Sequence, residues 1–248
     1  MRLKIIGSSS KGNCYILEND ETALIIECGV KINDIKAALG FNFQKVAGCL
    51  VSHEHGDHGK AAEDVLKLGI PLYTSRGTAR ALELQINHHR LNIIEAKRMV
   101  EIGPWKVIPF KIEHDVVEPL GFIINHAECG NVLFITDSIY VRDTFYNINN
   151  VLIEANFSQE IIDRKLKEGT SPEFLRNRIF KSHMSLETCK NTLLANDLSK
   201  VHNIVLIHLS DSNSNASQFQ KEITELTGKK VHVADAGVII ENFNKTAF

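Results

Sequence analysis

Residues 49–58 read CLVSHEHGDH, and this segment restricts the fold more than any other part of the chain. An apolar run that ends in three imidazoles and two carboxylates must deliver them into a polar pocket or leave them in solvent. Gly48 to Val51 has the length and composition of a buried strand. Behind it, "KAAEDVLKLG" has helical spacing, with Ala61, Val65 and Leu68 on one face and Gly69 as its stop. The polar residues therefore sit on a strand-to-helix loop, where side chains from successive positions converge. In extended backbone His53 and His55 project to the same side and reach one cation. Asp57 and His58 turn at the helix start toward a second position, while Glu54 falls between and points away. Imidazole nitrogen and carboxylate oxygen suit zinc, manganese or iron.

The rest of the chain alternates short β-rich runs with helical patterns. "LKIIG", "CYILE" and "ALIIECG" read as strands, with Gly7–Asn13 and Asn19–Glu21 as turns. "IPLYTS" is a strand and "GTARALELQI" a helix. Strands return in "MVEI", "WKVIPFKI", "LGFIIN", "VLFITD" and "VLIEAN". Helices are expected in "SPEFLRNRIF", with Ser171 as cap and Pro172 at its first position, and in "SLETCKNTLLAND". The chain closes with strand "NIVLIHLS", helix "SQFQKEITELTG" and strands "KKVHVAD" and "GVIIENF". No repeat or low-complexity linker interrupts this order. The pattern predicts one layered α/β domain over residues 1–248, helices outside and sheets inside.

Composition narrows the function classes. With 44% hydrophobic residues the chain can bury a substantial core, and a formal charge of −2 gives no overall basic field. Any nucleic-acid contact must come from a local patch. The N-terminus reads directly as a first strand, no apolar run approaches a membrane span, and a cytoplasmic protein is expected. Cys14, Cys28, Cys49, Cys129 and Cys189 form an odd set without C-x-x-C spacing and are expected as reduced, packed thiols.

The His-x-His-x-Asp-His spacing behind a strand resembles the metal motif of the metallo-β-lactamase superfamily. That family carries its other ligands at later strand ends, where this chain has His114 in "KIEHDVVEPLGF", Asp137 in "VLFITDSIY" and His208 in "IVLIHLSDSN". The resemblance implies an αββα four-layer sandwich and two divalent metal ions, zinc or manganese. His53, His55 and His114 would hold one, Asp57, His58 and His208 the other, with Asp137 bridging. "GSSSKGNCYILE", "IIECG", "SHEHGDH", "HDVVEPLGF", "TDSIY", "EAN", "SHMS" and "HLSDSN" together resemble the YycJ (WalJ) branch, whose members are DNA exonucleases. Three residues depart from that branch. Glu27 stands where it has aspartate, Phe157 where it has histidine, and Ser182 where it has glycine.

The chemistry implied is phosphodiester hydrolysis, in which two cations acidify and orient a water and offset phosphoryl charge. Asp57 and His183 are the candidate catalytic residues. By resemblance, His183 contacts the phosphate or assists the leaving group, just before a helix that Ser185 caps. Ser8 and Asn13, in the "GSSSKGN" turn, are candidate substrate contacts, as is His183. Arg164, Lys165, Lys167, Arg176, Arg178 and Lys181 form a locally basic stretch that reads better as a solvated helix face. Glu154 and Asn156 are candidates to brace the site or cap a strand end, and Trp105 is expected in the core. The leading expectation is a DNA exonuclease without a membrane partner. Cyclic-nucleotide phosphodiesterase, acyl hydrolase and metal-binding regulatory module are the competing classes, and homo-oligomerisation stays open. The short span from Asp137 to His208 leaves no room for the inserted domain of β-CASP nucleases.

Overall fold

Strands that are apolar on both faces have to be covered on both, which forces four layers. In β2 (Gly12–Glu18) and β3 (Ala23–Ile26), Tyr15, Leu17, Leu24 and Ile26 face one core, while Cys14, Ile16, Ala23 and Ile25 face another. The computed structural model describes residues 1–169 and 179–246. It contains two seven-stranded sheets packed face to face, with helices on both outer faces.

The first sheet has the order β14-β1-β2-β3-β4-β5-β6. Its remaining strands are β1 (Arg2–Ser9), β4 (Val46–Leu50), β5 (Leu72–Thr74), β6 (Leu91–Ile93) and β14 (Ile239–Ile240). The second has the order β13-β12-β11-β10-β9-β8-β7. It comprises β7 (Val100–Ile102), β8 (Trp105–Lys111), β9 (Leu120–His126), β10 (Gly130–Ile135), β11 (Ile148–Glu154), β12 (Asn203–Ile207) and β13 (Lys230–Val233). Trp105, Phe122 and Phe134 meet Tyr15 and Leu17 between the sheets. Outside the first sheet lie α1 (Ile32–Ala38) after β3, α3 (Ala62–Lys67), reached from β4 through the single turn α2 (Gly56–Gly59), and α4 (Arg76–Ala81) after β5. α6 (Leu186–Leu194) and α7 (Ala216–Thr227) cover the second sheet, and α5 (Gln159–Lys167) follows β11.

Strands β3 and β4 run parallel, as do β10, β11 and β12, while β8 and β10 are both antiparallel to the intervening β9. The carboxyl ends of β8, β10, β11 and β12 therefore gather at one rim of their sheet. Those of β3 and β4 gather at one rim of the other. In open α/β sheets such rims are where ligands bind.

Several local expectations change. The Gly7–Asn13 segment is mostly strand, because small side chains fit the pleat, and only Ser10 and Lys11 turn. α4 stops at Ala81 as Glu83 enters the left-handed region at φ 55°, and β6 is a strand too short to show a period. The helix expected in "KAAEDVLKLG" forms as α3 over Ala62–Lys67, and the histidine loop before it carries the single turn α2. Ser171, Pro172, Arg176 and Arg178 lie outside the described residues. All five cysteines are buried and free of disulfides, and Trp105 is in the core with its indole N–H donating to Thr22 Oγ1 at 3.1 Å. No helix among the described residues is long and apolar enough to cross a membrane.

At the end of β2 away from this rim, the buried carboxylate of Glu18 meets Arg2 Nε at 2.6 Å, Lys4 Nζ at 2.8 Å and Lys45 Nζ at 3.0 Å. Burial alone would raise its pKa, but the three cations outweigh that and hold it at about 2, against an ordinary 4.5. A depressed carboxylate stabilises the fold fully above its unfolded pKa and loses that contribution as pH falls toward the folded value. Glu18→Gln is expected to cost about 1–3 kcal/mol at neutral pH. In thermal melts the gap between wild type and variant should narrow as pH drops from about 5 to about 2; a gap independent of pH would contradict this account.

Candidate metal centre

Each strand end at the two rims hands one or more polar side chains to the same point. His53, His55, Asp57 and His58 follow β4, His114 follows β8, Asp137 follows β10 and His208 follows β12. Asp137 (φ 43°), His208 (φ 53°) and Glu27 after β3 (φ 64°) all adopt left-handed backbone, which costs a non-glycine residue roughly 1–3 kcal/mol. The sharp bend turns these side chains inward across the rim. Strain at three strand ends around one point marks a functional site rather than a folding accident.

Among the described residues the donor atoms form three overlapping groups that share Asp137: one with His53, His55 and His114, one with Asp57, His58 and His208, and one with Glu154, His183 and His208; the first two are built on the histidine loop. His55 Nδ1 lies 3.2 Å from both His53 Nε2 and His114 Nε2. Asp137 Oδ2 is 3.7 Å from His53 Nε2 and 3.8 Å from His114 Nε2. In the second group Asp57 Oδ2 is 3.1 Å from His208 Nε2 and 3.5 Å from His58 Nε2. Asp137 reaches it with Oδ2 at 3.4 Å from His58 Nε2 and Oδ1 at 3.6 Å from His208 Nε2. Ligands about 2.1 Å from a tetrahedral cation are spaced about 3.4 Å apart, so these two groups have the dimensions of a metal site. The chemistry fits as well. One lone pair on His55 Nδ1 cannot serve two imidazole neighbours, whereas a divalent cation between them accepts a lone pair from each.

Protonation follows the same logic. Burial pushes His53 and His114 below the ordinary imidazole value, toward the neutral form that a metal requires. Burial would raise Asp137, but His208, His58 and His53 outweigh it and hold the carboxylate well below its usual range. Three outer ring nitrogens lie beside oxygens, while His208 Nδ1 lies 2.9 Å from the Asn156 side-chain amide nitrogen. His53 Nδ1 is 2.8 Å from Ser52 Oγ, His114 Nδ1 3.2 Å from Asp115 Oδ1, and His58 Nδ1 3.4 Å from Glu27 Oε2. Ser52 and Asp115 did not stand out in the sequence; their only signal is adjacency to a ligand candidate.

The first hairpin braces this centre. Asn13 is buried, with its amide N–H donating to the Ser9 and Asp57 carbonyls at 3.1 Å and lying 3.2 Å from His58 Nε2. Ser8 Oγ accepts the His208 N–H at 3.0 Å and lies 2.8 Å from the Tyr15 hydroxyl. Both residues, expected as substrate contacts, hydrogen-bond to groups of the centre. Gly29 allows the close approach of the histidine loop, since a Cβ there would lie 1.7 Å from the Asp57 carbonyl oxygen.

Residues 26–209 match the profile of the beta-lactamase superfamily domain. The chain belongs to the metallo-beta-lactamase superfamily. It is 27% identical over 259 residues to the exodeoxyribonuclease WalJ of Streptococcus pneumoniae strain D39, covering 97% of this chain and 91% of that protein. The exodeoxyribonuclease YycJ of Bacillus anthracis is 25% identical over 243 residues, covering 93% and 90%. Among solved structures, the metallo-beta-lactamase fold protein YhfI of Bacillus subtilis superposes with a TM-score of 0.72 at 16% identity, covering 97% of this chain and 99% of the other. The protein is a metal-dependent hydrolase, and its His/Asp cluster suits divalent cations.

On the metallo-beta-lactamase frame the residues that depart from the branch pattern find structural partners. The Glu27 carboxylate accepts the Ser52 N–H at 3.1 Å and lies 3.4 Å from His58 Nδ1, with the Glu27 backbone at φ 64°. Phe157 is buried against Phe180, with ring centroids 4.8 Å apart. Ser182 Oγ donates to Asp115 Oδ2 at 3.3 Å. His183 belongs to the third donor group, its ring stacked on His208 at 5.2 Å and its Nδ1 2.8 Å from Glu154 Oε1. Glu154 also accepts the backbone N–H of Ser138 at 3.1 Å and of Met184 at 3.0 Å. Burial pulls His183 down, but Glu154 and Asp137 outweigh it and raise its pKa to about 9. Ser185 caps α6, its hydroxyl accepting the Thr188 N–H. Glu54 points away from the centre, accepting the Val117 N–H at 2.9 Å. His88, His89, His126, His202 and His232 lie outside the donor groups.

Because the cluster crowds lone pairs and carboxylates, metal removal should destabilise the fold. Chelation is expected to lower Tm by roughly 5–10 °C, reversed by zinc or manganese at about 100-fold above Kd. Asp137→Ala should abolish this metal-dependent shift; a wild-type Tm indifferent to chelator and metal would count against the site.

Proposed function

We propose that this protein is a DNA exonuclease using two divalent cations, with residues 1–248 as one catalytic domain. The observation that carries the reading is Asp137, one buried carboxylate whose two oxygens serve both groups built on the histidine loop. In this assignment His53, His55 and His114 would hold one ion and Asp57, His58 and His208 the other, with Asp137 available to both. When bound, such a pair supplies an acidified water and counter-charge for phosphoryl oxygens. The similarity to exodeoxyribonucleases over more than nine-tenths of the chain supports DNA as the substrate. With that substrate goes a cytoplasmic location, which five unpaired, buried cysteines also suit.

The chain's own residues supply the rest. His183 keeps a partly exposed face beside the cluster while Glu154 holds Nδ1 and favours the protonated ring. It is thereby set to contact the phosphate and to give a proton to the leaving oxygen. Glu154 acts as a positioning residue. Its fixed carboxylate, held by two backbone amides, sets the angle of His183 and faces His208 Nδ1 at 3.5 Å.

End-labelled single- and double-stranded DNA, assayed beside cyclic mononucleotides and acyl esters with zinc or manganese restored to stripped protein, tests this. Progressive shortening of DNA that disappears in Asp137→Ala is expected. His183→Ala should lower kcat by about 10²–10⁴ with metal content unchanged. Turnover confined to cyclic mononucleotides or acyl esters would refute the exonuclease assignment.

A further inference from the structure

Two large apolar side chains lie exposed in the loops that leave the centre. Val117 (68% exposed) is three residues past His114, and Tyr140 (42% exposed) is three residues past Asp137. Burial would hide both if packing were their role, and neither has a hydrophobic cluster to join. Their loops are fixed against the site. The Ile139 N–H donates to the Glu113 carbonyl at 2.9 Å, the Ser138 hydroxyl donates to the Tyr140 carbonyl at 2.8 Å, and Glu54 within the histidine loop accepts the Val117 N–H. Three peptide steps keep the Tyr140 Cα within about 11 Å of that of Asp137.

Tyr140 is also pre-positioned. The Arg142 guanidinium lies over its ring, 5.7 Å from the centroid, and is itself held by Glu113 Oε1 at 3.1 Å. One cation thus backs an exposed ring next to a site suited to a phosphodiester. An aromatic face beside a guanidinium binds an unpaired nucleobase by stacking while the cation faces the adjoining phosphate. A paired base offers no free face to such a ring.

We propose that Tyr140, backed by Arg142, stacks on an unpaired base next to the scissile phosphate and so makes the enzyme select single-stranded DNA ends. This rests on the exonuclease reading above and names the substrate form within it.

The test uses the full-length, metal-loaded wild type, Tyr140→Ala and Tyr140→Phe on single-stranded oligonucleotides with ordinary or abasic terminal nucleotides. Tyr140→Ala should lose about 5- to 100-fold in kcat/KM on ordinary ends, while Tyr140→Phe stays within about twofold of wild type. On abasic ends all three should act alike, since no base remains to stack, and metal content and Tm should match throughout. Equal rates of wild type and Tyr140→Ala on ordinary ends would overturn the stacking site and leave the exonuclease reading standing. An Ala deficit that persists on abasic ends would show a structural role and overturn it likewise. No DNA hydrolysis by the wild type would remove the exonuclease reading, and this inference with it.

Discussion

The site depends on one buried carboxylate held where two sheets meet. Asp137 is buried and lies within 3.4–3.8 Å of five imidazole nitrogens, those of His53 and His58 after the first sheet and of His114, His183 and His208 beside the second. An isolated buried carboxylate would take up a proton or unfold its surroundings. Here the surrounding imidazoles hold it ionised, and divalent cations in the two groups built on the histidine loop would complete the compensation. The four layers can be understood from this requirement. Histidine-bearing loops from the first sheet and strand ends from the second reach a common point only when both sheets present their parallel carboxyl ends to the same rim.

Much of this was legible in the residues. The layered class followed from strands apolar on both faces, as in "CYILE" and "ALIIECG". The histidine loop followed from a buried strand that ends in imidazoles. His114, Asp137 and His208 could be singled out only through the resemblance to the superfamily, which carries further ligands at later strand ends, and the structure brings all three beside that loop. The bracing was less legible. Ser8 and Asn13 have the composition of a phosphate-binding turn, and only the structure shows them hydrogen-bonded to Tyr15, the His208 N–H and the Asp57 carbonyl. Asp115 gave no signal because a carboxylate on a loop is ordinary until its distance to an imidazole is known.

The left-handed backbone at Glu27, Asp137 and His208 was invisible for a different reason. None is glycine, the residue that announces such conformations most plainly. Aspartate and histidine visit this region more readily than most residues, while a glutamate does so rarely, so at Glu27 above all tertiary structure imposes the bend. The amides that follow show how: Ser138 N–H is fixed by Glu154 Oε2, and Cys28 N–H by the His58 carbonyl at 2.8 Å. Conflict between local preference and fold is expected where function has first claim on geometry.

In the proposed assignment each cation takes ligands from both sheets, so the distance between the sheets sets the shape of both sites. That distance is set by the core between them. Tyr15 connects the two scales, since its ring packs edge-on to Phe134 at 5.8 Å while its hydroxyl meets Ser8, whose oxygen accepts the His208 N–H. The same side chain thus touches the inter-sheet packing, the first hairpin and a strand-end histidine. Close-packed interiors transmit displacement rather than absorb it. The spacing of the donor groups is accordingly a property of the whole sandwich, fixed by large buried rings some distance from any reacting atom.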